Sequence, residues 1–356
     1  MQGAGGPSRA AEIGAATRTR LRRVGLLVSS VIAALLAAPP TALAQSFPGW
    51  VNSHYMSPVT SSYMWDRGCD VGGGTKYQGG GITDYVVVLD FMQPYVSGGV
   101  YGARMSGTFE NTSWIADKVE QFGLGFYDCS SSVPRLNIIA GVNSDSSTVT
   151  SAHGTAWANM VTTIDNWFST SPHDIVSQVW AHGGIDAESG FYASPSMLRS
   201  WVNAYSSAAG TVSYAYDFGD AAGCAYDTYK APPGYTCNNG FTQDDYFYLS
   251  YGCANCQGLP EIYNTTIKTL PNGNPTDPNA QEWEGIRLYG YHELGQTNEI
   301  DGSTTQHTAC GQPGHSCSGT NNTAQAGWTH LYNVVTYFTP VQSFGLPWSN
   351  DFMWGW

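Results

Sequence analysis

Short apolar runs alternate with longer amphipathic stretches along most of this chain, and each run tends to end in glycine or a carboxylate. That rhythm constrains the fold most, because strands separated by helix-sized crossovers pair in parallel, in a closed barrel or an open doubly wound sheet. Strand candidates span 67–70, 85–91, 136–142, 176–186, 212–216, 245–251 and 286–291, with an eighth unplaced. Helix candidates span 113–122, 152–168, 194–207 and 280–285. Trp157, Val161, Ile164 and Phe168 recur at helical spacing and give the second of these one apolar face. Ser194 and Pro195 ahead of Met197 supply a cap and a first-turn proline for the third.

Glycine-rich loops with the lysine that cradles phosphate, which would favour the open sheet, do not occur. The G-x-S-x-G pattern of a serine esterase is also missing. The stretch from residue 45 to 356 suits one barrel of roughly 250 residues with insertions. The expected fold is therefore α/β, a (β/α)8-type TIM barrel or a modified form of it with disulfide-bonded loops, in a single domain over 45–356.

Residues 1–44 carry a basic stretch at 18–23, an apolar run at 24–38 and the small-residue end Ala42-Leu43-Ala44. A run of about 15 apolar residues is shorter than the roughly 20 that cross a bilayer, so this reads as a cleaved export signal on a secreted, extracellular protein without stable membrane insertion. Beyond it lie nine basic and 26 acidic residues, a formal net charge of −17. Such a field repels nucleic acid and leaves neutral polymers as partners. All eight cysteines follow residue 44, an even number that in an oxidising compartment favours four bridges. Eight cysteines allow 105 pairings; short loops and neighbouring strands favour Cys224 with Cys237, Cys310 with Cys317, Cys69 with Cys129 and Cys253 with Cys256. Cys253-Ala-Asn-Cys256 alone has zinc or redox spacing, with no second pair to complete a metal site. No metal or cofactor is expected.

Asp186-Ala187-Glu188 closes the longest strand candidate, and alternate residues of a strand face the same way, so both carboxylates project from its carboxyl end. In a barrel that end is the active-site rim. Paired carboxylates suit glycosidic bond cleavage, where one protonates the leaving oxygen and the other stabilises an oxocarbenium-like state. Glu188, with the longer reach, is the candidate acid and Asp186 its partner; the alternative is a loop-capping Asp186 beside a solvated Glu188. Asp70, Asp90, Asp217, Asp220 and Glu261 fall at other candidate strand ends, and Trp65, Tyr216, Tyr251, Tyr263 and Trp283 are aromatics that could stack on sugar faces or pack the core. His182 reads as a buried, hydrogen-bonded histidine or a substrate contact.

Arg67-Gly68-Cys69-Asp70, the Asp186-Ala187-Glu188 pair, and Tyr248 to Gly252 followed by Leu259-Pro260-Glu261-Ile262-Tyr263 resemble glycoside hydrolase family 25, the lysozyme-type muramidases, and a related group of glycoside-hydrolase-like secreted actinobacterial proteins. The resemblance implies a modified (β/α) barrel, with Asp70 as a first-strand substrate-side aspartate and Glu188 as proton donor of a D-x-E pair. It implies a secreted glycoside hydrolase acting on a cell-wall or environmental polysaccharide. A catalytically silent, glycan- or cell-envelope-binding barrel is the alternative, and a hydrolase with an unrecognised nucleophile a third.

Overall fold

The computed structural model describes residues 45–74, 77–78, 84–226, 234–338 and 345–355. The export segment expected over 1–44 lies outside them. Among the described residues, eight parallel strands follow one another in chain order around the main sheet: β1 (Trp50–Tyr55), β2 (Asp84–Asp90), β3 (Arg135–Asn143), β4 (Val179–Asp186), β5 (Ala215–Asp217), β6 (Cys256–Gly258), β7 (Gly302–Thr305) and β8 (Trp348–Trp354). Strand β8 returns to pair with β1 in parallel, Val51 opposite Asn350. Between β6 and β7 the sheet is nearly closed by a parallel bridge from Glu261 to Thr304. There Ile262 N donates to Thr304 O (2.9 Å) and Thr304 N to Pro260 O (2.8 Å).

The crossovers are helical: α1 (Ser61–Gly72), α2 (Thr112–Cys129), α3 (Ser151–Ser169), α4 (Pro195–Ala209), α5 (Gln243–Tyr251), α6 (Pro278–Leu294), and the pair α7 (His307–Gly311) and α8 (Ala324–Tyr337) ahead of β8. Most begin at a side-chain cap that satisfies an otherwise orphaned backbone N–H: Thr60, Asn111, Thr150, Ser194, Asp277 and Thr323 each accept one. The fold is an α/β barrel with four disulfides in the expected pairing: Cys224–Cys237, Cys253–Cys256 and Cys310–Cys317 close short segments, whereas Cys69–Cys129 joins helices α1 and α2 and not, as expected, neighbouring strands. No helix of the described residues is long and apolar enough to cross a membrane.

Three strand candidates are helices instead. Residues 67–70 belong to α1, where Met64, Gly68 and Val71 are buried at helical spacing, so Asp70 sits on a helix, not at the end of a first strand. Residues 245–251 form α5, started by a capping box between Thr242 and Asp245. Tyr251 is thereby a helix residue packed behind β6 and not a rim aromatic. Residues 286–291 continue α6, in which every residue from Asn279 to Gly290 is buried, so no polar face marks the helical period. The real first, sixth, seventh and eighth strands have no counterpart among the candidates: the sixth is only three residues long, and the other three are polar, with Ser53, Ser303, Thr304, Thr305 and Asn350 wholly buried.

Alternation along the strands fills the barrel interior with Val86, Val88, Ile139, Tyr216, Phe218, Leu259 and Phe352. Phe218 is the central plug. A β-carbon on Gly141 would lie 2.6 Å from its ring and one on Gly184 3.0 Å from it, so bare backbone on β3 and β4 makes its space. Below this layer His182 Nδ1 accepts from Tyr214 N (3.4 Å) and its Nε2 meets Asn137 Oδ1 (3.1 Å), which leaves the proton on Nε2. Burial lowers its pKa to about 4, so His182 is a neutral structural group within the barrel.

Candidate active site

Above the Phe218 plug, at the carboxyl ends of the strands, the interior turns acidic. Asp186 ends β4, Glu188 stands two residues on, and Glu261 follows β6. One carboxylate oxygen from each lies within 4.8 Å of the others. Asp90 joins from the end of β2, its Oδ1 accepting from Met92 N (2.8 Å). Tyr55, at the end of β1, places its hydroxyl 3.4 Å from that of Tyr263. Burial, with the charges on Glu261, Asp186, Asp90 and Glu188 added to it, holds the Tyr55 hydroxyl well above its ordinary pKa.

Local structure fixes this geometry tightly. Glu188 N donates to Ser144 Oγ (3.2 Å) beyond β3, and Ser189 N to the Tyr246 hydroxyl (3.0 Å) of α5. The loop after β5 lies directly on the Asp186-Ala187-Glu188 backbone: a β-carbon on Gly219 would meet Ala187 N and O at 2.5 Å. Gly219→Ala is therefore expected to cost about 1–3 kcal/mol through overpacking against backbone that cannot yield. Urea unfolding would measure it, and an unchanged midpoint would show that the two loops do not constrain each other.

The carboxyl groups are not equivalent. Asp186 and Glu261 are 5 % and 1 % exposed, whereas Glu188 retains partial access to solvent. Burial and the charges of Glu188, Asp90, Asp217 and Asp220 raise the pKa of Asp186 well above the ordinary carboxylate range. Burial raises Glu188 too, opposed by a hydrogen bond with Glu261. Glu261 is raised strongly, by burial, by Asp186 and Glu188, and by that same bond. The proton between the two glutamates thus rests on Glu261, which donates to Glu188. Asp90 is pushed up to about 7, burial being the largest cause and Glu188 adding to it. Among the described residues, Asp186 Oδ1 is buried without a hydrogen-bond donor. Such a set carries its protons near neutrality; three converging carboxylate oxygens are also the donor type that hard divalent cations take.

The remaining candidates lie elsewhere. Asp70 pairs with Arg67 on α1 (2.9 Å). Asp217 ends β5 but faces outward, accepting from Ser250 Oγ of α5 (2.8 Å), and burial lifts it to about 7. Tyr216 packs inside the barrel against His182, beneath the carboxylates. Trp283 is wholly buried in α6, and Trp65 Nε1 donates to Asp128 (3.1 Å). Asp220 is held by Asn279 Nδ2 (2.8 Å) and feels Glu188. Tyr55 was missed in the sequence because its strand was; the bounding Pro48-Gly49 and Ser57-Pro58 turn residues were the available signal. No family model matches the chain, and a search of curated proteins returns no match.

Proposed function

We propose that this protein is a secreted glycoside hydrolase with a TIM-type barrel, cutting a cell-wall or environmental polysaccharide at the carboxylate cluster. The observation that carries this reading is the meeting of Asp186, Glu188 and Glu261 within 4.8 Å at the carboxyl ends of β4 and β6. The proton that Glu261 shares with Glu188 passes across their hydrogen bond to Glu188, the member with solvent access, and from it to the leaving glycosidic oxygen, and the attacking water later returns one proton to the pair. Asp186, facing the same space, supports the oxocarbenium-like centre or orients an N-acetyl group of the substrate. Four disulfides accord with an extracellular setting.

The test is reducing-end release from a panel of polysaccharides, present in the wild type and lost in Glu188→Gln. Because burial raises both Glu188 and Glu261, the proton they share persists toward neutrality and is lost as pH rises. Activity is therefore expected to fall on the alkaline side, and a kcat/KM flat from pH 5 to 9 would remove Glu188 from the acid role. The depth of Asp186 and Glu261 favours one second reading, a silent barrel that binds glycan without cutting it. Retention on an insoluble glycan with no product, in wild type and Glu188→Gln alike, is its signature.

A further inference from the structure

The three carboxyl groups of the cluster have a second chemistry open to them that hydrolysis does not use. We propose that Asp186, Glu188 and Glu261 form a binding site for a hard divalent cation of the calcium class, and that the bound cation switches hydrolysis off. The site stands on its donor set alone; only the switch rests on the glycoside hydrolase reading, to which it adds a regulator.

Among the described residues this is the one place where three or more histidine, cysteine or acidic side chains bring ligand atoms together. All three donors are carboxylate oxygens, which suit calcium, magnesium or manganese better than the zinc and copper that nitrogen and sulfur ligands favour. Three oxygens no more than 4.8 Å apart share a centre within about 2.8 Å of each, and calcium–oxygen bonds run about 2.3–2.6 Å against about 2.0–2.1 Å for magnesium. Calcium therefore needs the smaller movement.

Buried acceptors point to the same ligand. Asp186 Oδ1 and Glu261 Oε2, brought from the ends of β4 and β6, are enclosed, and neither has a hydrogen-bond partner among the described residues. A buried carboxylate oxygen without a donor costs free energy, and the bond between Glu188 and Glu261 covers neither of these atoms, whereas one cation contacts both. No ion pair among the described residues includes any of the three, so no lysine or arginine supplies their counter-charge. A further orphan stands on the same row. Glu261 is bridged to Thr304 and Thr304 pairs with Asn350 of β8, which points the Asn350 side chain to the inner face that carries Glu261. Its amide is wholly buried, and neither Nδ2 nor Oδ1 has a partner among the described residues. Calcium takes six to eight oxygens, so water completes the shell of such an ion, and this amide is a group that can hold it.

The backbone fixes the donors at this spacing. Gly219 lies between the two carriers: its carbonyl accepts from Glu261 N (3.1 Å) and its α-carbon abuts the Ala187 backbone. Glu188, only half-buried, gives an ion its way in. A cation held by Glu188 and Glu261 takes the oxygens that share the proton and releases it to water, so the bound form has no acid for a glycosidic oxygen.

The experiment is calorimetric titration of calcium chloride, with magnesium chloride in parallel, into the chelator-treated full chain and its Asp186→Asn, Glu188→Gln and Glu261→Gln variants. Asp84→Asn, at an exposed position at the other end of β2, is the control. Wild type and the control should bind a single calcium ion more tightly than magnesium, and each amide variant should weaken calcium binding by about tenfold or more. Thermal melts without calcium establish that each variant is folded, and Glu188→Gln, at the least enclosed of the three positions, keeps the comparison if a buried variant is not. Saturating calcium should lower polysaccharide turnover by about tenfold or more. Calcium binding with no polysaccharide cut sustains the site and sinks only the hydrolase reading. The proposal is overturned by no binding to wild type at about 10 mM calcium, by magnesium binding the tighter, by equal affinity in wild type and the amide variants, or by full turnover with calcium bound.

Discussion

Replacing Glu188 by glutamine is expected to lower turnover by about a hundredfold or more while leaving the melting temperature nearly unchanged. The amide keeps the shape of the side chain and can still hydrogen-bond to Glu261, but it has no acidic proton for the leaving oxygen. Stability should survive because Glu188 is the least enclosed of the three carboxyl groups and its backbone, not its side chain, is bonded to Ser144. It should even gain slightly, since one of three crowded acids is removed from a site with raised proton affinities. Asp186→Asn should impair turnover severely as well. A purely architectural cluster would instead show activity falling in proportion to a lowered melting temperature, with buried charged hydrogen bonds contributing about 1.5–3 kcal/mol each. If Glu188→Gln keeps wild-type turnover on a substrate the protein demonstrably cleaves, Glu261, which holds the shared proton at rest, becomes the acid.

The second large effect is a melting temperature higher at pH 5 than at pH 8, by at least about 5 °C. Burial pushes Asp90, Asp165, Asp217, Glu282 and Asp301 each up to about 7, against about 4 in an unfolded chain. Between those values the folded protein holds protons that the unfolded chain has released, so each group makes stability fall as pH rises. His153 and His182 act with the opposite sign. Burial lowers each to about 4, so below about 6.5 the unfolded chain takes up protons that the native state refuses, and stability is lost as pH falls. These five carboxyl groups, together with Glu120, which burial likewise pushes up to about 7, oppose two histidines in the shared window, and above about 6.5 the carboxyl groups act alone. Even one net proton amounts to about 1.4 kcal/mol per pH unit, which moves the transition by several degrees in a chain this size. Thermal unfolding across pH 5 to 8 decides it: a melting temperature that is flat or rises toward pH 8 would mean the carboxyl groups are hydrated and ionised.

Local physics determined a good part of this protein. Strongly apolar β2, β3 and β4, and helices with one apolar stripe such as α3, announce themselves through periods of two and 3.6 residues, and from them follow the parallel α/β class and the placing of Asp90, Asp186 and Glu188 at strand ends. Disulfide pairing was legible too, because three bridges close loops spanning 3, 7 and 13 residues. Only the tertiary structure decided the rest. A barrel strand whose polar residues are buried has no hydropathic signature, which hid β1, β7 and β8 and with them Tyr55 and Trp354, and the three residues of β6 are too few to show a period. A helix enclosed on every side, as α6 is, has no polar face to reveal its period, and the aromatic-rich α5 imitates a strand by propensity. Asp70 therefore moved from the proposed rim to an outer helix. Glu261, one carboxylate among several in the sequence, became a partner of Asp186 and Glu188 because β6 lies two strands from β4 around the barrel, a neighbourhood created by closure and absent from any local pattern.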